Sequence, residues 1–296
     1  MSKIIYIYNP VSYHYEIIES LLYQLDFITN SECTDVVIYV HVVKNDSFET
    51  YIKSKHPRII FGTPLRYDIL IFATVYPFSE NKKKEIIIPK DKTEKTVSEI
   101  VPNSSNVFYI FHEYDKNFKD LKNVRFLTSF SKKQRIYTHV LPFQDEIRNF
   151  DNEIPIFAIQ GNLWSRTRNW KSLVPILEMD DRNFFIKLIG RGELPDILVP
   201  YRHKIILANN LDFISYHREF LNVFCLLPLV SPEWTKQYFK NKFTSSISYI
   251  KGYGLYSIMH KKLHRLYPET KNVYSYTNQK GFENQFKKLL DIFYQR

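Results

Sequence analysis

Glycine is scarce in this chain of 296 residues, which holds 7, and cysteine is scarcer, with 2. Cys33 and Cys225 stand far apart in neutral or apolar surroundings without a Cys-x-x-Cys spacing, which excludes a disulfide framework, a zinc ribbon and a dithiol redox motif. Both read as reduced thiols of a cytoplasmic protein. Long apolar runs are also missing. The longest uncharged stretch, Leu221–Pro232, falls short of the roughly 18–20 residues a membrane span needs and contains prolines. The opening run Met1–Pro10 ends too early for a secretory apolar region and has no small-residue cleavage site, so it reads as a first strand. Acidic charge is in deficit: 31 Asp and Glu stand against 41 Lys and Arg, a net +10. That balance favours an anionic partner, whether a phosphorylated small molecule, an acidic membrane surface touched peripherally, or nucleic acid.

Aromatic residues, by contrast, are plentiful, with 22 Tyr and 23 Phe. Short runs of Ile, Val, Phe and Tyr recur between segments of helical spacing or polar loops, the pattern of a βαβ chain. The spacing predicts strands at Ile4–Tyr8, Val36–Val40, Ile69–Val75, Val107–Phe111 and Arg125–Leu127, and a helix over Glu16–Phe27. Uninterrupted apolar strands of this kind belong in parallel sheets covered on both faces. A polar connector, Phe143–Glu153, marks a domain boundary. Beyond it the alternation resumes, with strands at Ile156–Gln160, Phe184–Ile189, Lys204–Leu207, Val223–Leu227, Leu255–Met259 and Asn272–Tyr276 and helices at Ser172–Glu178, Ile214–Phe220 and Ser245–Lys251. A last helix, Gly281–Tyr294, aligns Phe282, Phe286, Leu289, Leu290 and Phe293 on one face. The expected architecture is α/β: two Rossmann-like domains facing each other across a cleft, residues 1–145 and 146–280, with 281–296 packing back towards the first.

Ligands of such sheets bind beyond the carboxyl ends of the strands. Six of the seven glycines lie in the second half, and Gly161 and Gly190 directly follow predicted strands. The loop after the first of these strands carries Arg166 and Arg168 ahead of a helix; the next reads Gly190-Arg191-Gly192. A guanidinium fork suits phosphate oxygens, and a helix start adds backbone donors. Lys242, Thr244, Ser245 and Ser246 open a further helix with consecutive hydroxyls, which either cap backbone N–H groups or help to hold an anion. For proton transfer the candidates are His14, after the first strand, and His112 with Glu113, after the strand Val107–Phe111. His260 and His264 have metal-ligand spacing but no third ligand nearby, and no Asp-x-Asp triplet occurs, so no metal site is expected.

From Ile156 onward the order of features resembles the donor-binding domain of GT-B-fold glycosyltransferases, similar to glycosyltransferase families 4 and 1: Gly161 with Arg166 and Arg168, Gly190-Arg191-Gly192, the loop Ala208–Leu211, the hydroxyl-rich helix start, a strand after Gly254 and a closing helix. The resemblance implies a metal-independent enzyme without a cofactor, using a nucleotide-diphosphate sugar as donor. It implies that the diphosphate lies over Lys242–Ser246, that Arg166, Arg168 and Arg191 offset its charge, and that Asn210 and Leu211 lie near the base. The acceptor is then a glycan, lipid or protein-linked hydroxyl. Two departures stand out. The two glutamates seven residues apart that many retaining members carry are missing, since 240–254 holds no acid, and the first strand leads into Tyr8-Asn9-Pro10 rather than a glycine-rich loop. A catalytically silent GT-B-like scaffold or carbohydrate-binding protein therefore stays open. A DNA-modifying glucosyltransferase shares the architecture, but the chain has no nucleic-acid-reading motif, which argues against that partner.

Overall fold

The structure, a computed structural model, describes residues 2–9, 14–29, 36–43, 46–75, 85–87, 94–96, 106–114, 116, 120–130, 135, 153–164, 168–179 and 182–295. The chain divides into two compact units, Met1–His139 with Asn241–Phe243, and Val140–Lys240 with Thr244–Arg296. The expected connector falls, over 143–152, outside the described residues.

The first unit comprises β1 (Lys3–Asn9), α1 (Tyr15–Thr29), β2 (Val36–Val42), α2 (Asp46–Lys55), β3 (Ile60–Phe61), β4 (Ile69–Val75), a hairpin of β5 (Glu85–Ile87) and β6 (Glu94–Thr96), β7 (Val107–Phe111) and β8 (Val124–Phe126). Apart from the hairpin, these strands form one parallel sheet in the order β3-β2-β1-β4-β7-β8. Aromatic side chains fill its core: Tyr6, Phe72, Tyr109, Phe111 and Phe126 are fully buried, and the Phe72 and Tyr109 rings stack at 5.3 Å. The α1 helix buries Ile17, Ile18, Leu21 and Leu22, at the spacing of one helical face.

The second unit comprises β9 (Ile156–Asn162), a 3-10 turn at Trp170–Leu173, α3 (Val174–Leu177), β10 (Phe185–Arg191), a 3-10 stretch at Asp196–Lys204, β11 (Ile205–Asn209), α4 (Phe213–Arg218), β12 (Cys225–Leu226), a 3-10 turn at Lys236–Phe239, α5 (Ser246–Gly252), β13 (Tyr256–His260), α6 (Lys261–Leu266), β14 (Val273–Tyr276) and α7 (Gln279–Tyr294). Its parallel sheet runs β11-β10-β9-β12-β13-β14. With the β5–β6 hairpin set aside and strands counted within each unit, both sheets have the order 3-2-1-4-5-6 of the doubly wound Rossmann arrangement.

The helix expected over Ser172–Glu178 is a 3-10 turn followed by one α turn, because Pro175, at the start of α3, has no N–H to continue the preceding turn's bonding. The closing helix begins at Gln279, where the Asn278 side chain caps it by accepting from the Gly281 N–H at 2.8 Å. Its buried residues Phe282, Phe286, Leu289 and Leu290 belong to the core of the second unit, and Phe286 stacks on Phe157 with centroids 4.0 Å apart. Among the described residues no helix is long and apolar enough to cross a membrane.

Candidate functional site

In a sheet of this order the crevice for ligands opens where the chain reverses direction, between β9 and β12 in the second unit. Gln160 stands there near the end of β9. Its amide nitrogen donates to Ser245 Oγ at 3.3 Å, and its amide oxygen accepts from Ser246 Oγ at 3.1 Å. Ser245 is the residue before α5, yet its hydroxyl makes no capping bond. The two serines expected either to cap this helix or to hold an anion thus share one glutamine, a partner far away in sequence. Thr244 is buried beside them, and its carbonyl accepts from the Ile247 N–H.

The glycines at this edge have steric reasons of their own. Gly161 and Gly190 are register partners, and a Cβ on Gly190 would fall 1.7 Å from the Gly161 carbonyl oxygen. A Cβ on Gly161 would meet Arg168 Nη2 at 3.1 Å. That guanidinium donates to the Gln160 carbonyl at 2.9 Å, and Arg168 is only 4% exposed. This corrects the expectation of an arginine open to a diphosphate. Since β12 pairs with β9 only alongside Phe157 and Ala158, the Gln160 carbonyl lies past the ladder, and Arg168 supplies the donor it lacks. Arg166 lies outside the described residues.

Further along the same edge Arg191 is exposed at the end of β10, its carbonyl accepting from the Leu163 N–H. Asn209 donates its side-chain amide to the Gly192 carbonyl at 2.8 Å. Asn210 takes a left-handed φ of 54° and donates its N–H to the Gly190 carbonyl, and Leu211 beyond it is 38% exposed. Sequence reasoning assigned no role to Trp164, which is 54% exposed at this edge. The signal available was an aromatic just past a strand end.

The first unit gathers a second polar cluster. His14, at φ 64°, sets Nδ1 3.0 Å from Glu16 Oε1, and its ring lies 4.3 Å, centroid to centroid, from that of His112. His112 is 3% exposed; burial above all, then the charges of His14 and Lys242, holds its pKa well below the usual histidine value, so it is neutral. Glu113 forms an antiparallel bridge with Lys242, Oε1 to Nζ 3.5 Å. Lys242 therefore belongs to the first unit rather than to the donor domain, where the sequence reading put it. The physical reason is main-chain pairing past the end of β7: Tyr114 N–H donates to the Asn241 carbonyl and Phe243 N–H to that of His112. Sequence reasoning missed Glu16, two positions beyond His14 on the first turn of α1.

His260 and His264 are occupied separately, the first accepting from the Lys262 N–H and the second bonding Ser275 Oγ. Among the described residues no group of three His, Cys, Asp or Glu side chains converges to hold a metal ion.

No protein-family model and no curated protein matches this sequence. Solved structures do match. A glycosyltransferase from Rickettsia africae ESF-5 has a TM-score of 0.57 at 11% identity, over 98% of this chain and 89% of that one. The apo form of the lipopolysaccharide outer core galactosyltransferase WaaB gives 0.53 at 12%, over 98% and 90%. AviGT4, a glycosyltransferase involved in avilamycin A biosynthesis, gives 0.50 at 8%, over 98% and 88%. At such identities the likeness is one of fold: this chain has a GT-B glycosyltransferase-like fold of two Rossmann-like domains.

Proposed function

We propose that this chain moves a sugar from a nucleotide-diphosphate sugar to an acceptor hydroxyl, with side chains rather than a bound metal meeting the charge of the departing diphosphate. The observation that carries this reading is the carboxyl edge of the second sheet, where a hydroxyl pair tied to Gln160 and an exposed arginine, Arg191, lie at and beside the switch point. In the transfer the acceptor oxygen forms a bond to the anomeric carbon, the bond from that carbon to the diphosphate breaks, and the diphosphate leaves with the electron pair. Arg191 offsets the charge that develops, and Ser245, whose oxygen accepts from the Gln160 amide, offers its O–H as a donor, while the buried Ser246 holds Gln160 in place. The acceptor proton needs a base. His14 fits this role better than His112: its side chain is 18% exposed, against 3% for His112, and it has a carboxylate, Glu16 Oε1, 3.0 Å from Nδ1 to orient the ring. Glu113 is engaged with Lys242. The acceptor class remains a glycan, a lipid or a protein-linked hydroxyl.

Calorimetric titration of nucleoside diphosphates and their sugar conjugates, with EDTA present, tests the reading. A specific nucleotide sugar should bind, with its nucleoside diphosphate released only when an acceptor is added; binding lost on chelation, or no binding, defeats it. A catalytically silent scaffold is the second reading. It is favoured because Arg168 is committed to the Gln160 carbonyl and Lys242 to Glu113, both internal partners. Binding without turnover against any acceptor would favour it over transfer.

A further inference from the structure

We infer that Trp164 is the stacking platform for the nucleobase of the donor. The inference rests on reading the carboxyl edge of the second sheet as the donor site. The indole is 54% exposed, whereas Trp170, in the same loop, is buried in the core. An exposed tryptophan alone would mean little, but this one is held in place. Its N–H donates to Asn162 Oδ1 at 3.0 Å, its carbonyl accepts from the buried Trp170 Nε1 at 3.3 Å, and the Leu163 N–H before it donates to the Arg191 carbonyl at 2.9 Å. Its main chain is thus fixed on both sides of Cα. The loop that carries the indole is therefore ordered before any ligand arrives, one part of what a preorganised contact requires.

Gly192, on the neighbouring loop, leaves the room the indole occupies. A Cβ there would stand 3.4 Å from Trp164 Cδ1 and 3.3 Å from Leu163 Cβ. The loop turns at Gly192 with φ 119°, a conformation that side-chain-bearing residues avoid. The indole therefore lies against bare backbone one strand outward from the switch point, and adjacent strands are about 4.8 Å apart. A nucleoside diphosphate has one charged end and one flat, largely apolar end. The charged end finds the Ser245 hydroxyl and Arg191; the flat end finds the Trp164 face beside Gly192, with Leu211 and the left-handed Asn210 on the next strand end. Stacking on an aromatic face tolerates any base, so the platform fixes where the base sits and leaves its identity to polar groups.

The test is a titration of the full chain with uridine, guanosine, adenosine and cytidine diphosphates, followed by calorimetry and by quenching of tryptophan emission. Trp164→Ala should weaken the tightest of them by roughly tenfold or more, the range of one base–aromatic stack. Trp164→Phe should keep most of the affinity while losing the quenching. Trp234→Ala, which removes another exposed tryptophan, should bind like the parent. Unchanged affinity in Trp164→Ala, or a loss for the sugar conjugates with none for the bare diphosphates, overturns the assignment, the latter by placing the sugar on the indole. So does a loss in Trp234→Ala alone. If the parent chain binds no nucleoside diphosphate, the donor-site reading itself falls, and the platform with it.

Discussion

The Arg168 guanidinium and the His217 imidazole are both buried polar groups whose effects can be measured separately. Removing the first leaves the Gln160 carbonyl without its donor. Since a bond to a charged group contributes about 1.5–3 kcal/mol, Arg168→Ala should lower the melting temperature clearly, and Arg168→Lys should restore part of it. A variant that melts like the parent would show that the bond adds nothing. His217 is fully buried, with Nδ1 2.9 Å from the Tyr253 hydroxyl. That hydroxyl donates to the His217 carbonyl, leaving its oxygen to accept from Nδ1–H and fixing a neutral tautomer. Burial brings the pKa down from 6.5 to about 3. The folded state therefore binds this proton more weakly than the unfolded chain. Stability from the neutral ring is complete above pH 6.5 and is lost as the pH falls towards 3, at about 1.4 kcal/mol per unit, with His112 shifted in the same direction. Melting temperatures between pH 7.5 and 4 should fall along that slope and fall less in His217→Phe; an equal slope in the variant would exclude His217 as the titrating group.

At the scale of the elements, β9 and β10 pair over seven residues, and Gly190 is where a single methyl group would force them apart. With a Cβ 1.7 Å from the Gly161 oxygen, Gly190→Ala should destabilise the second unit beyond the 0.5–3 kcal/mol of ordinary substitutions, seen as lost solubility or an early melting step. A parent-like melt would mean that the strand ends separate readily. The strands themselves were the most legible part of the chain. Ile69–Val75 and Val107–Phe111 lie where the sequence puts them, because each is an apolar run with polar neighbours. Less was visible where few residues carry the burial: α2 buries Phe48, Tyr51 and Ile52 among lysines, serines and acids, and β3 is a two-residue strand. The site was legible as a set of strand ends but not as a set of partners. Nothing near Ser245 announces that its hydroxyl meets Gln160, and nothing near Lys242 announces Glu113, since the topology alone brings these segments together.

At the scale of the whole molecule, two sheets of the same strand order each carry a polar carboxyl edge, and the proposed donor belongs to only one of them. Saturation with a nucleoside diphosphate at a hundred times its Kd should stabilise the folded chain by about 2.7 kcal/mol. Hydrogen exchange should then slow at the ends of β9, β10 and β11 and stay unchanged at the end of β2 in the first unit. Slowing in the first unit alone would move the nucleotide site there. The short segment Asn241–Phe243 gives this arrangement a genetic consequence. It joins the first unit while the residues on either side of it belong to the second, so the first unit is not encoded as one continuous stretch. A chain emerging from the ribosome can finish all the strands of the first sheet, yet Glu113 gains its Lys242 partner and His112 its Phe243 neighbour only after most of the second unit has been made. A recombination event or an engineered chimaera that exchanges the second half therefore also replaces the residues that complete the first, and the transplanted half sets its own counterparts of Lys242 and Phe243 into the recipient's histidine cluster.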